Sequence, residues 1–176
     1  MTPEQKKELE RTELAVMQVM IETGEWLSAK HVKHQATAVH IQERLGRVQP
    51  CDFVAVTRDH DRVRADLKLW KPVFSAELGY WVFYSELWKH QEYIRRTTLG
   101  EQFFYLFLVH DKSFPRGPGL YIANIAHLYY PDHTSKGPIQ GQAHTDGKEF
   151  GVWSGDRFRK VCDIALYRKI RYSPED

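Results

Sequence analysis

The sequence predicts an α/β fold, a single domain with a central mixed β-sheet flanked by helices. Three observations point there. The chain opens on an amphipathic helix, residues 53–70 read as a β-hairpin, and residues 102–110 (QFFYLFLVH) are almost wholly apolar. A strand without a polar face is covered on both sides, which requires layers above and below the sheet. At 176 residues a single domain is expected, since domains commonly hold about 100–200.

The first helix is expected over residues 3–23. Thr2 suits its N-cap, Pro3 its first turn, and Glu4 and Glu8 its N-terminal dipole, while Gly24 ends it. Leu9, Val16, Met17 and Met20 form the apolar stripe, with Leu14 and Ile21 beside it. Glu13 falls inside that stripe. A carboxylate on a buried face is costly unless it is paired or lies near a metal. The alternative places Glu13 at the stripe's edge, in water, paired with Arg11 or Lys6. Residues 29–45 read as a second helix with Val32, Ala36 and Val39 inward. His31, His34 and His40 then ride on a solvated, mildly basic face.

Next comes the hairpin. Phe53–Thr57 is β-branched and aromatic, residues 58–61 are a polar turn, and residues 62–70 alternate. Val63, Ala65, Leu67 and Leu69 point one way; Arg64, Asp66 and Lys68 point the other. Asp66 and Lys68 therefore share a face, about 7 Å apart along the strand. Asp52 stands at the mouth of the first strand, where the hairpin brings it beside Asp66. Two carboxylates converging on one point call for a positive charge between them. Mg2+, which takes one or two carboxylates and keeps several waters, suits that place.

Beyond Trp70, Lys71-Pro72 breaks the strand and residues 80–84 read as another. Ser85 is expected to cap a helix over residues 86–99, stopped by Gly100, with Leu87, Trp88, Tyr93 and Ile94 toward the sheet. Lys89, His90, Arg95 and Arg96 lie elsewhere on it, and Arg95 with Arg96 makes a phosphate grip. The apolar run 102–110 is the central strand, residues 113–119 a Pro/Gly turn, and residues 120–130 one or two further strands. Residues 132–150 show no periodicity and read as a substrate-contacting loop over the active face. The last element, residues 154–172, is expected to be a helix carrying Arg157, Arg159 and Lys160 among six cations. Such a cluster fits the backbone of a nucleic acid, and equally a solubilising terminus.

Asp52, then fourteen positions on Asp66-Leu67-Lys68, resembles the PD-(D/E)XK nuclease superfamily, with Pro50 set one residue further from the first acid. The resemblance covers residues 1–110. It implies a restriction-endonuclease-like core there, with residues 111–176 adding strands, the 132–150 loop and the basic C-terminal segment. It also implies a Mg2+-dependent phosphodiesterase, a DNA endonuclease in preference to one acting on RNA. Asp52, Asp66 and the Leu67 carbonyl would hold the metal, Lys68 would serve the attacking water, and Glu13 on the first helix would join the site. Cutting duplex at a symmetric site suits a two-fold homodimer.

Two other readings stand beside it. One is a non-catalytic nucleic-acid-binding module; the other is a histidine-metal hydrolase centred on His133 and His144, with His110 and His127. Composition constrains all three. The net charge is +2, from 25 basic and 23 acidic residues, so an anionic partner must be drawn by a local patch. Two cysteines without a CxxC spacing indicate buried, reduced thiols. With no apolar run near 18 residues, the expectation is a soluble cytoplasmic protein that does not engage membranes.

Overall fold

Helix α1 spans Pro3–Glu22 and begins on a reciprocal cap. The Gln5 amide donates to the Thr2 hydroxyl while the Thr2 amide donates to the Gln5 side chain. Its buried residues are Glu13, Ala15, Val16, Val19 and Met20, so the stripe includes Val19, while Leu14 faces solvent. The computed structural model describes residues 1–32, 51–136 and 148–174.

The central sheet is mixed and six-stranded among the described residues. Its strands are β1 (Trp26–His31), β2 (Phe53–Thr57), β3 (Arg62–Lys68), β6 (Phe103–Val109), β7 (Gly119–Asn124) and β10 (Arg159–Asp163), in that spatial order. Only the β3–β6 pairing is parallel; β1–β2, β2–β3, β6–β7 and β7–β10 are antiparallel. A second, antiparallel sheet has the order β4 (Val73–Ser75), β5 (Tyr80–Glu86), β9 (Glu149–Ser154), β8 (His133–Lys136). Helix α2 covers Leu87–Thr98 and α3 covers Ile164–Arg171.

The apolar strand β6 lies between the two main cores. Leu106 and Leu108 join α1, α3 and the inward residues of β2 and β3 in one cluster. Phe103, Tyr105, Phe107 and Val109 join the other, built from α2, Phe83, Tyr121, Trp153 and Phe158. That alternation is why the run could dispense with a polar face.

Several expectations are corrected. Ala29 and His31 belong to strand β1 and not to a helix, paired with Ala55 and Phe53 respectively. Trp26, buried against Phe53 with ring centroids 5.6 Å apart, anchors that edge strand, and pairing with β2 overrides the local helical pattern. The remainder of the 29–45 helix lies outside the described residues. Ser85 is buried within β5 and caps nothing; the strand runs directly through Glu86 into α2. Strand β3 stops at Lys68, short of Trp70. Asn124 ends β7 and its side chain accepts from the Ala126 amide, starting a 3-10 turn over Ile125–Leu128. Residues at both ends of the 132–150 segment form strands β8 and β9, while residues 137–147, His144 among them, lie outside the described part. The C-terminal segment is not one helix. It is the end of β9, a short 3-10 turn (Gly155–Arg157), strand β10 and then α3, because β7 offers a free edge to pair with Arg159, Lys160, Cys162 and Asp163.

At that edge β10 passes directly over Gly119. A Cβ built on Gly119 would sit 2.4 Å from the Cys162 carbonyl oxygen. Gly119→Ala is therefore expected to push β10 off β7 and to lower stability by about 1–3 kcal/mol in urea unfolding. An unchanged midpoint would show that the two strands separate without strain.

Candidate active site

The hairpin register builds the centre of the site. Phe53 pairs with Ala65, the regular pairing ends there, and the Asp52 amide bonds the carbonyl of that same Ala65, which keeps Asp52 beside Asp66 at the end of the hairpin. Their carboxyl groups lie within hydrogen-bonding reach of each other. Asp52 Oδ2 also accepts the Leu67 amide at 2.8 Å, which fixes its orientation. The Asp52 backbone is tied on both sides, its amide to the Ala65 carbonyl and its carbonyl to the Val32 amide.

Asp66 has three polar neighbours. Lys68 Nζ lies 3.0 Å from its Oδ2, the Tyr93 hydroxyl donates to the same oxygen at 3.2 Å, and the Asp52 carboxyl is beside it. All three side chains are buried: Asp52 is 8 %, Asp66 9 % and Lys68 6 % exposed. The reason is the parallel pairing of β3 with β6, which makes β3 an interior strand and places α2 over its second face. Burial pushes the Asp66 carboxyl above its ordinary value; Lys68 opposes the rise and Asp52 adds to it.

Glu13 reaches the same place from α1. It is 8 % exposed and lines one cavity of about 270 Å³ with Asp52, Asp66, Leu67, Lys68 and Lys89. Its partner is neither Arg11 nor Lys6. The His31 Nε2 bonds Glu13 Oε2, and both side chains are withdrawn from water. Sequence reasoning placed His31 on a solvated helix face and so missed this contact. It also missed Lys89 and Tyr93, since both approach Asp66 from α2, an element with no motif of its own. Their i, i+4 spacing on one helix face was the available signal. Burial, followed by repulsion from Lys68, lowers the Lys89 pKa. Behind them, Tyr105 beside Asp66 contacts His90 Nδ1 at 3.1 Å, and burial holds His90 neutral with its pKa lowered to about 4.

The donor set favours one kind of cation. Among the described residues no three His, Cys, Asp or Glu side chains come together at metal-binding spacing. A closed zinc cage is thus not built there. Two adjacent buried carboxylates, one of them destabilised as an anion, fit Mg2+, which completes its shell with water.

The five expected phosphate-binding cations lie apart from this cluster, and each is engaged. Arg95 pairs with Glu92, Arg96 with Glu101, Arg157 with Asp132, Arg159 with Glu25 and Lys160 with Asp163. Arg159 lines a separate cavity with Glu25, Trp26 and Arg58. Among the histidines, His133 Nε2 lies 3.4 Å from Glu77 and His110 packs edge-on against Tyr167. Both cysteines are free. No helix among the described residues is long and apolar enough to cross a membrane.

No known family model matches the chain, and no curated protein matches it in sequence. Among solved structures it is similar to Hjc, a Holliday junction resolvase from the archaeal hyperthermophile Archaeoglobus fulgidus. The two are 13 % identical over 90 % of each chain, with a TM-score of 0.42. A likeness at that level carries no argument about chemistry, which rests on the side chains above.

The raised Asp66 pKa has a sign that can be measured. Its proton is held more tightly in the folded chain than in the unfolded one, so folding is favoured below the unfolded carboxylate pKa. That stability is lost as pH rises through the folded pKa, by up to about 1.4 kcal/mol per pH unit. Without divalent metal, Asp66→Asn is expected to gain stability over wild type as pH rises across this window. Urea unfolding in EDTA at several pH values checks it. A constant difference between the two proteins would mean that Asp66 ionises in the fold without cost.

Proposed function

We propose that the chain is a Mg2+-dependent nuclease that hydrolyses phosphodiester bonds, most simply a DNA endonuclease. The observation that carries this reading is the Asp52–Asp66 pair, buried and in mutual contact, with Lys68 3.0 Å from Asp66 in one cavity. The resemblance of Asp52, Asp66 and Lys68 to the PD-(D/E)XK motif agrees with it.

Asp52 and Asp66 would hold the metal, joined by the Leu67 carbonyl. Bound there, Mg2+ supplies a Lewis acid for the phosphoryl oxygens and lowers the pKa of a coordinated water. The chain's own groups do the rest. The Leu67 amide and the Tyr93 hydroxyl hold the two carboxylates in place. Lys68 orients the attacking water and offsets the negative charge that builds on the phosphate. Hydrolysis forms a bond from the water oxygen to phosphorus and breaks the P–O ester bond, and the departing oxygen takes a proton. Lys89 adds a second cation to the cavity wall, suited to a non-bridging phosphate oxygen. Glu13, held by His31, is a further acceptor for a water proton. A homodimer follows if both strands of a symmetric site are cut.

Plasmid DNA with and without Mg2+ tests the assignment. Wild type should cut only with Mg2+. Asp66→Asn and Lys68→Ala should each lose activity by roughly 100-fold to 1000-fold, since one transition-state contact is commonly worth about 2.7–4 kcal/mol. Calcium should support binding without cutting, because its looser shell places the water poorly. Wild-type cleavage by Asp66→Asn would remove the carboxylate pair from the chemistry.

Arg95, Arg96, Arg157, Arg159 and Lys160 are proposed as backbone contacts that exchange their carboxylate partners for phosphates. Replacing Arg157, Arg159 and Lys160 by alanine should then weaken DNA binding and lower its salt slope by roughly one unit per phosphate lost. An unchanged slope would confine them to the ion pairs that tie β10 and its flanking turn to the rest of the fold.

A further inference from the structure

The mouth of the carboxylate cavity carries apolar planes among its cations. Leu69, 44 % exposed, and Trp70 line the cavity together with Lys68 and Lys89. Just outside stands Trp88 on the first turn of α2, 50 % exposed. A single exposed apolar side chain needs no explanation, but Trp88 differs from such a case in two respects.

Its ring is held in place. The indole Nε1–H donates to Glu86 Oε2 at 2.7 Å, and the other Glu86 oxygen is 3.3 Å from Lys148 Nζ. A large aromatic surface is thereby kept in water in one orientation, so little side-chain freedom is left to lose on binding. Its position is equally specific. The Lys89 Nζ lies 5.5 Å from the Trp88 ring centroid, and Lys89 is itself part of the cavity wall. The indole is thus one side chain away from Asp52 and Asp66. Trp70 does not offer the same surface, because its ring already stacks on Tyr84 at 5.1 Å.

Alternating lysines and aromatic faces match a nucleic-acid strand whose bases are unpaired. Cations follow the phosphates, and an aromatic ring takes the face of any base. In continuous duplex those faces are buried in the stack and cannot reach a side chain. We propose that Trp88 is a base-stacking platform at the mouth of the Asp52–Asp66 cavity, and that the substrate presents unpaired bases beside the bond to be cut. The inference rests on the nuclease reading above and narrows its substrate class to single-stranded, frayed or branched nucleic acid.

The test compares wild type, Trp88→Ala and Trp88→Phe for binding to a labelled single strand and to its fully paired duplex. Fluorescence anisotropy is read in Ca2+, and Mg2+-dependent cleavage of both oligonucleotides is measured in parallel. Trp88→Ala should weaken single-strand binding on the order of ten-fold while duplex binding stays unchanged, and Trp88→Phe should keep most of the affinity. Equal binding by Trp88→Ala and wild type, or equal losses on both oligonucleotides, would overturn the platform. If wild type still cuts DNA in either case, the nuclease reading stands without it. If wild type neither binds nor cuts either oligonucleotide with Mg2+, both readings fall.

Discussion

The constraint on which the rest of the site depends is the placing of two carboxylates face to face, out of water. Asp52 and Asp66 lie side by side at the end of a hairpin, each buried, and burial first, with Asp52 adding to it, makes Asp66 hold its proton more tightly. Burying even one carboxylate is unfavourable without a partner. Lys68 compensates for one of the two charges. The Leu67 amide and Tyr93 hydroxyl compensate for part of the remainder. A structure that retains such a pair gives up stability to keep it.

Every layer of the fold contributes to holding that arrangement. The end of the hairpin, where the Asp52 amide bonds the Ala65 carbonyl, brings the two acids together, and the parallel pairing with β6 makes β3 an interior strand. Helix α1 lays Glu13 into the cavity from one side, while α2 brings Lys89 and Tyr93 from the other. The second sheet supports the rim, since Trp70 leaves the end of β3 and stacks into the Tyr84–Phe150 cluster. Rigid elements on three sides suit a site whose chemistry depends on placement.

Much of this was legible in the sequence because it is local. The alternation of residues 62–68 placed Asp66 and Lys68 on one face, and the α1 stripe singled out Glu13 while leaving open whether it is buried or reaches water. The uniformly apolar run at β6 announced a strand covered on both sides. What was not legible depends on pairing between distant segments. The second half of β1, from Ala29, reads as helix because its strand character comes from β2, and β10 reads as helix because its own comes from β7. His31, Lys89 and Tyr93 escaped for the same reason: each enters the site through the packing of its element and not through a spacing pattern. The burial of Asp66 and Lys68 was likewise invisible, as a hairpin alone leaves that face to solvent.

Diffraction from crystals grown with Mg2+ or Mn2+ tests the central claim most directly. The account predicts one ion between Asp52 and Asp66, six-coordinate with Mg–O distances of about 2.0–2.1 Å, and a shell completed largely by water. Under the same conditions Asp66→Asn should show none. Carboxylates still bonded to each other at saturating metal, with no ion beside them, would contradict it.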